Sequence, residues 1–431
     1  MVRSRCGALK KDTTMALSSA SPVTEADTRT GARLLALASV GILLGSYVIN
    51  AMDRQLFPLI LPDVRREYGF SLPEAGLIAT VFTAGMALAG LPTGYLMSRY
   101  SRKSVAQIGL FIFSLATVVT VLSAGFSDML VYRALTGVGE AMQLTAMLAI
   151  LSSFFARHRG AGVGAVNFTF GLGAVIGPLL GAAILSAYGT WRAPMIAFGV
   201  IGFLLMALAQ ILVRRSVSEV KLAEGAQGAR VIGGATTLLN RNTILLVFLS
   251  CIAGLILYGF LGMYPTYLRE QLHFTPADTG AVMSIFGLGA LGSIAGGFLG
   301  DRFPMRSVLV ASFLVAGLLG WMLFNGPATF TAQATLAFLW GVAAPGSIFV
   351  NVAAYHVKAV RGELAGRAAG VFVTSFYAAA STAGYTIGWL ASEFGWTIAG
   401  DVQLGAICLI GIVIALALKP KLMARPVAEI N

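Results

Sequence analysis

Apolar runs of about 20 residues, separated by short polar stretches, recur along the whole chain, and each is long enough to cross a hydrocarbon core about 30 Å thick as a helix. Twelve are predicted, at about 33–57, 74–97, 104–126, 128–154, 161–187, 192–213, 242–264, 277–299, 306–326, 329–355, 365–390 and 397–418. The longest polar interruption, 214–241, divides them six and six. The pattern predicts an all-α polytopic membrane protein with one six-helix bundle over 33–213 and a second over 242–418. The interruption serves as a linker, and tails cover 1–32 and 419–431.

Composition strengthens this reading. Of the 431 residues, 57% are hydrophobic and 11% charged, with a mean hydropathy of +0.82, which is too apolar for a soluble fold of this length. The net charge of +12 would suit a nucleic-acid partner only if it gathered on one solvated face, whereas it is dealt out between the spans. With the N-terminus in the cytoplasm, 24 of the 30 Lys and Arg fall in the tails and cytoplasmic loops, and the outer loops hold Arg65, Arg66, Arg192 and Arg269. That asymmetry follows the positive-inside rule and predicts both termini in the cytoplasm. Cys6, Cys251 and Cys408 are scattered, with no disulfide or metal spacing. Residues 1–32 read as a disordered tail without a signal peptide, and Met15 is an alternative start. No phosphate-binding loop or His/Cys cluster is present, so neither an enzyme nor an ATP-driven pump is expected, and no cofactor.

The turn after the second run matches the turn after the eighth: "GYLMSRYSRKS" at 94–104 and "GGFLGDRFPMRS" at 296–307 share Gly, an apolar pair, Arg and a second basic residue. The loop resembles the G-x-x-x-D-R-x-x-R/K motif of the major facilitator superfamily, whose members are two six-helix bundles around a central site. Gly297, Asp301, Arg302 and Arg306 fit the motif in the second copy, and Gly94, Arg99, Arg102 and Lys103 in the first, where Ser98 replaces the acid. The resemblance implies a conformational latch, with Gly allowing close helix approach and the acid pairing at a helix end.

Charge within the spans is the strongest chemical signal. Asp53, Arg54, Arg133 and Glu140 are the ionisable residues placed well inside them, all in the first half. Such residues are costly at bilayer depth unless they pair or face a wet cavity, so each is a functional candidate. Arg133 and Glu140 are seven apart, on one helix face. A guanidinium grips carboxylate or sulfonate groups in a planar fork, and a carboxyl group in low dielectric holds its proton more tightly. These are the parts of a proton-coupled anion carrier.

The segment "NAMDRQ" at 50–55 resembles the N-Y-x-D-R stretch of the anion:cation symporter family, and "RALTGVGEA" at 133–141 resembles its R-x-x-G-x-G-E stretch. The resemblance implies Asp53 and Glu140 as proton-coupling groups, Arg54 as the substrate contact and Arg133 as its support. Spinster-like lipid carriers of the same superfamily share much of this pattern. In the second half the cavity wall must come from neutral groups, with Tyr258, Asn351 and Tyr377 the chosen candidates, while His356 reads as a loop residue. "GLGAVIGPLLGAA" at 171–183 resembles a fifth-helix motif of export antiporters, although Gly173, Gly177 and Gly181 also suit close packing. The expectation is a monomeric carrier in a bacterial inner membrane. It would import a small organic anion, a carboxylate or sulfonate, with protons; the alternative is a proton-antiport exporter of drug-like or lipid-like compounds.

Overall fold

The computed structural model describes residues 22–155, 159–220 and 231–426. The fold is nearly all helical. The first half contains α1 (Pro22–Tyr68), α2 (Leu72–Thr80), α3 (Phe82–Arg99), α4 (Arg102–Thr120), α5 (Phe126–Phe154), α6 (Arg159–Tyr188) and α7 (Arg192–Leu212), followed by a short α8 (Arg215–Ser218). The second half contains α9 (Arg241–Thr266), α10 (Pro276–Ala290), α11 (Ser293–Arg302), α12 (Met305–Asn325), α13 (Phe330–Ala343), α14 (Val350–Lys358), α15 (Ala365–Phe394), α16 (Trp396–Gly400) and α17 (Ile407–Ala417). Two-residue strands, β1 (Val231–Ile232) and β2 (Arg425–Pro426), pair antiparallel.

Among the described residues, 11 helical segments are long and apolar enough to span a bilayer. The remaining predicted span is the 30-residue α15, which lies outside that set because Gly, Ala, Ser and Thr replace much of its aliphatic surface. The predicted tail falls partly outside the described residues, and its stretch from Pro22 onward is helical, continuous with α1. At the other end, α1 runs past the predicted limit to Tyr68, because "LFPLILP" prolongs the apolar run. Asp53 therefore sits about 22 Å of helix rise from Tyr68 and about 28 Å from Leu34. Glu140 lies at the middle residue of the 29-residue α5.

The two halves repeat their local devices. The second and eighth spans each open with a capping box and a proline in the first turn, Ser71 with Glu74 and Thr275 with Asp278. Each box satisfies helix-end N–H groups that lipid and protein would otherwise leave bare. Both spans are also interrupted, at Val81 and at Leu291–Gly292. The basic residues that end the two matched loops act alike. Lys103 donates to the Gln210 and Val213 carbonyls at the end of α7 (2.9 and 2.8 Å), and Arg306 Nε to the Leu418 carbonyl after α17 (2.7 Å). Cations there complement the negative end of the helix dipole.

Glycines set how closely helices approach around the charged residues. A Cβ on Gly139 would stand 2.5 Å from the Gly109 carbonyl oxygen and 2.5 Å from the Phe113 nitrogen, both in the backbone of α4. One on Gly177 would stand 2.8 Å from the Met52 Cα, so α6 presses against α1. Gly139→Ala is therefore expected to force α4 and α5 apart at a cost of about 1–3 kcal/mol. Thermal unfolding of purified protein should show a clearly lowered midpoint, and an unchanged midpoint would contradict this packing.

Candidate functional site

The close approach of α1, α5 and α6 puts four ionisable groups in the interior. Asp53 is 1% exposed, Arg54 5%, Arg133 0% and Glu140 0%. Neighbours in sequence do not pair with each other, because consecutive helical residues point about 100° apart. Each instead crosses to α5. Arg54 Nε lies 2.9 Å from Glu140 Oε2, and Arg133 Nη1 lies 3.6 Å from Asp53 Oδ2. Thr117 on α4 donates to the other Asp53 oxygen at 3.0 Å.

The two arginines have different surroundings. Arg133 is held over the ring of Phe57 at 4.5 Å and of Phe82 at 5.5 Å, with no face toward open space. Arg54 borders a narrow cavity, with room for about one water molecule, whose wall also includes Gln55, Phe82, Phe170 and Tyr258. That wall draws on both halves of the molecule. Among the described residues, Arg54 Nε and Nη2, both Glu140 carboxylate oxygens and all three guanidinium nitrogens of Arg133 are buried without a hydrogen-bond partner. Buried guanidinium N–H groups without acceptors cost more than a typical hydrogen bond returns, and of the two arginines it is Arg54 that borders the cavity, where an anionic or polar guest could supply one.

A polar ladder one turn away fixes the register of the two helices. The Asn50 side-chain amide donates to Gln143 Oε1 at 2.9 Å and to the Glu140 carbonyl at 3.3 Å, and Gln143 Nε2 donates to Ser46 Oγ at 3.0 Å. The sequence signal for it was present in principle. Asn50 stands four residues before Arg54 and Gln143 three after Glu140, each a single helical turn.

Of the residues expected at the site, Arg54 and Tyr258 line the cavity. Glu140 meets it through Arg54, and Asp53 and Arg133 form a second pair behind it. Tyr377 packs against Tyr258 with ring centroids 6.1 Å apart. Asn351 is not brought to the cavity. Its amide donates to the Gly296 carbonyl at 3.0 Å and the Ser347 carbonyl at 2.9 Å, pinning α14 to α11. His356, read as a loop residue, is fully buried in α14 and shares a 2.9 Å hydrogen bond with Ser250 Oγ. The walls Phe82, Phe170 and Leu261 escaped a search keyed to charge, since buried phenylalanines in a span resemble ordinary core.

At the matched loops, Asp301 pairs with Lys358 at 2.7 Å, and Arg99 lies over the Tyr95 ring at 4.7 Å. Arg102 donates to Ser153 Oγ at 2.7 Å, while Arg302 is exposed. Gly94 has open space around it and Gly297 only an ordinary contact at 3.5 Å, so neither makes the expected close approach. In the second copy it falls on Gly296 and Gly300, the neighbours on the face toward α14 and the turn before it. In the first copy, where Ser98 lacks the acid, Glu219 supplies a carboxylate from the linker. It accepts from the backbone N–H of Arg102 at 3.2 Å and of Lys103 at 3.0 Å, capping α4.

Two six-helix bundles around a central, charged, membrane-embedded cavity define a polytopic carrier. The chain belongs to the Major Facilitator Superfamily, which matches residues 43–384 and 246–429; it is a multi-span membrane transporter and not an enzyme. A probable 4-methylmuconolactone transporter of Cupriavidus pinatubonensis is 25% identical over 310 residues, covering 70% of this chain and 71% of that one. A probable sulfoacetate transporter of Cupriavidus necator is 25% identical over 405 residues, covering 89% and 94%. The matched part ranges from 28% of one curated relative to 94% of another. Among solved structures, a bacterial homolog to human lysosomal transporter, Spinster, in an inward-facing and unoccupied conformation, aligns with a TM-score of 0.71 at 16% identity. It covers 89% of this chain and 95% of that one, a likeness of fold alone.

Removing one partner of a buried ion pair leaves an uncompensated charge and typically costs about 3–5 kcal/mol. Arg133→Met should therefore destabilise the protein strongly, and adding Asp53→Asn should recover much of the loss, because the stranded carboxylate is gone. Thermal unfolding of the single and double variants checks this, and additive losses would show that the pair is not coupled.

Proposed function

We propose that this carrier takes up a small organic anion, a carboxylate or sulfonate, together with protons across a bacterial inner membrane. The observation that carries the reading is the buried Arg54 guanidinium at the cavity wall, held by Glu140 through Nε and with Nη2 unpartnered. An anion entering the cavity competes with Glu140 for Arg54. Once displaced, the Glu140 carboxylate is left buried and uncompensated, so taking up a proton is its cheapest response. Coupling is reciprocal: protonating Glu140 frees Arg54 for the anion, and the anion favours protonation of Glu140. Asp53 is the second proton-coupling candidate, and Arg133 holds it in place from within the aromatic packing. The names of the relatives, transporters of 4-methylmuconolactone and of sulfoacetate, agree with an organic-acid cargo.

Alternation would come from rocking the two bundles about this site. Among the described residues, the side-chain hydrogen bonds and ion pairs between the halves lie from the α1–α2 end, the predicted outer end, to the midpoint. Arg65 Nη1 reaches both Glu270 oxygens at 2.7 and 2.8 Å, Arg269 pairs with Asp63, and Thr80 donates to the Ser381 carbonyl at 3.0 Å. Ser284 donates to the Val175 carbonyl at 2.6 Å. With both termini cytoplasmic, this is a conformation closed to the outside. The export reading leaned on the glycine-rich fifth span, whose Gly173, Gly177 and Gly181 are accounted for by contact with α1.

Proteoliposomes with an imposed inward proton gradient test the reading. The wild type should concentrate a carboxylate or sulfonate, and Arg54→Ala should weaken its binding about 100-fold or more, the usual consequence of truncating a buried charge contact. Glu140→Gln should retain anion exchange down a gradient of the anion itself while losing proton-driven accumulation. Undiminished accumulation by Arg54→Ala would reject the assignment.

A further inference from the structure

We infer that the preferred anion has a flat, apolar body, an aromatic or conjugated carboxylate in preference to a saturated ring or a polyhydroxylated acid; the inference rests on Arg54 as the anion contact. The cavity is strongly asymmetric in its chemistry. Arg54 and Gln55 supply charge and amide at one side, and the rest of the wall is made chiefly of the rings of Phe82, Phe170 and Tyr258, with Pro58, Ala79, Leu261 and Gly262 between them. Apart from the Tyr258 hydroxyl, none of these latter side chains offers a hydrogen-bonding group.

The rings come from three helices and both halves: Phe82 from α3, Phe170 from α6 and Tyr258 from α9. They share the cavity wall with Arg54. The Phe170 centroid is 5.5 Å from Arg54 Cζ, and the Phe82 and Tyr258 centroids are 5.8 Å apart, edge to face. Tyr258 is held from behind by Phe376 at 5.9 Å and Tyr377 at 6.1 Å, again edge to face, so its orientation is fixed by packing. Once the bundles part enough to admit it, a planar acid can place its carboxylate on the Arg54 guanidinium and its ring among these edges and faces, the geometry that aromatic pairs favour. A saturated ring of the same volume presents no face to stack. A sugar acid would bring several hydroxyls against apolar walls, and each one stranded without a partner weakens binding by roughly ten-fold or more.

Binding to the purified full-length protein, measured by calorimetry for benzoate, cyclohexanecarboxylate and gluconate, tests the inference. Benzoate should bind at least about three-fold more tightly than cyclohexanecarboxylate and at least about thirty-fold more tightly than gluconate. Phe170→Leu should shrink the benzoate-to-cyclohexanecarboxylate ratio toward one while benzoate still binds, unlike Arg54→Ala, which should remove binding of all three. Equal affinity of the wild type for benzoate and cyclohexanecarboxylate, or gluconate binding as well as benzoate, would overturn the inference and leave the anion-carrier reading standing. A Phe170→Leu variant that folds and keeps the full ratio would overturn it too, and if that variant misfolds the wild-type ratios alone decide. Absence of binding by any carboxylate or sulfonate would remove the underlying reading, and this one with it.

Discussion

Charge in a low-dielectric interior has to be compensated, and in this molecule that requirement is met by two ion pairs that cross between the same two helices. Asp53 and Arg54 are adjacent on α1, yet each finds its partner on α5, two turns apart. Neither pair forms unless α1 and α5 keep one rotation and one register. The supporting structure follows from that demand. Glycines on α5 and α6 bring α3, α4 and α1 close, and the Ser46–Gln143–Asn50 ladder fixes the register a turn away. The aromatic rings around Arg133 close off the inner pair.

The two pairs have different surroundings. Arg133 is buried against the rings of Phe57 and Phe82 and is paired with Asp53 in the interior. Arg54 stands at a wall shared by both bundles and is paired with Glu140 at 2.9 Å. What separates the two guanidinium groups is their surroundings, rings around Arg133 and a cavity wall beside Arg54. A similar contrast appears at larger scale. Among the described residues, side-chain hydrogen bonds and ion pairs between the bundles run from the predicted outer end to the midpoint, while the matched loops at the other end make polar contacts within their own half, Lys103 and Arg306 onto helix ends and Asp301 onto Lys358. Closing one end while leaving the other to intra-bundle contacts is what a rocking pair of bundles requires.

Much of this was legible in the sequence, for identifiable reasons. Apolar runs of bilayer length announce helices, so their number and order could be read, and even α15 was found despite its small, hydroxylated surface. A charge inside such a run is expensive, so Asp53, Arg54, Arg133 and Glu140 stood out. The pairing did not, because the face α1 turns to α5 depends on how the helices pack, including the approach of α1 to α6 at Gly173 and Gly177, more than a hundred residues away. Asn351 illustrates the converse: an amide in a span is equally suited to a cavity or to backbone carbonyls, and here it bonds Gly296 and Ser347. Phe82 and Phe170 carry no mark that separates a cavity wall from core. Glu219, which stands in for the acid missing at Ser98, comes from a linker with no pattern of its own.

The central claim is that Arg54 is shared between Glu140 and the transported anion, so that binding one releases the other. Calorimetry of carboxylate binding in buffers of different ionisation enthalpy measures this directly, because protons taken up by the protein are supplied by the buffer. The account predicts a binding enthalpy that varies linearly with buffer enthalpy, with a slope of about one proton taken up per anion, and loss of that slope when Glu140 is replaced by Gln. An enthalpy that is the same in every buffer would contradict it.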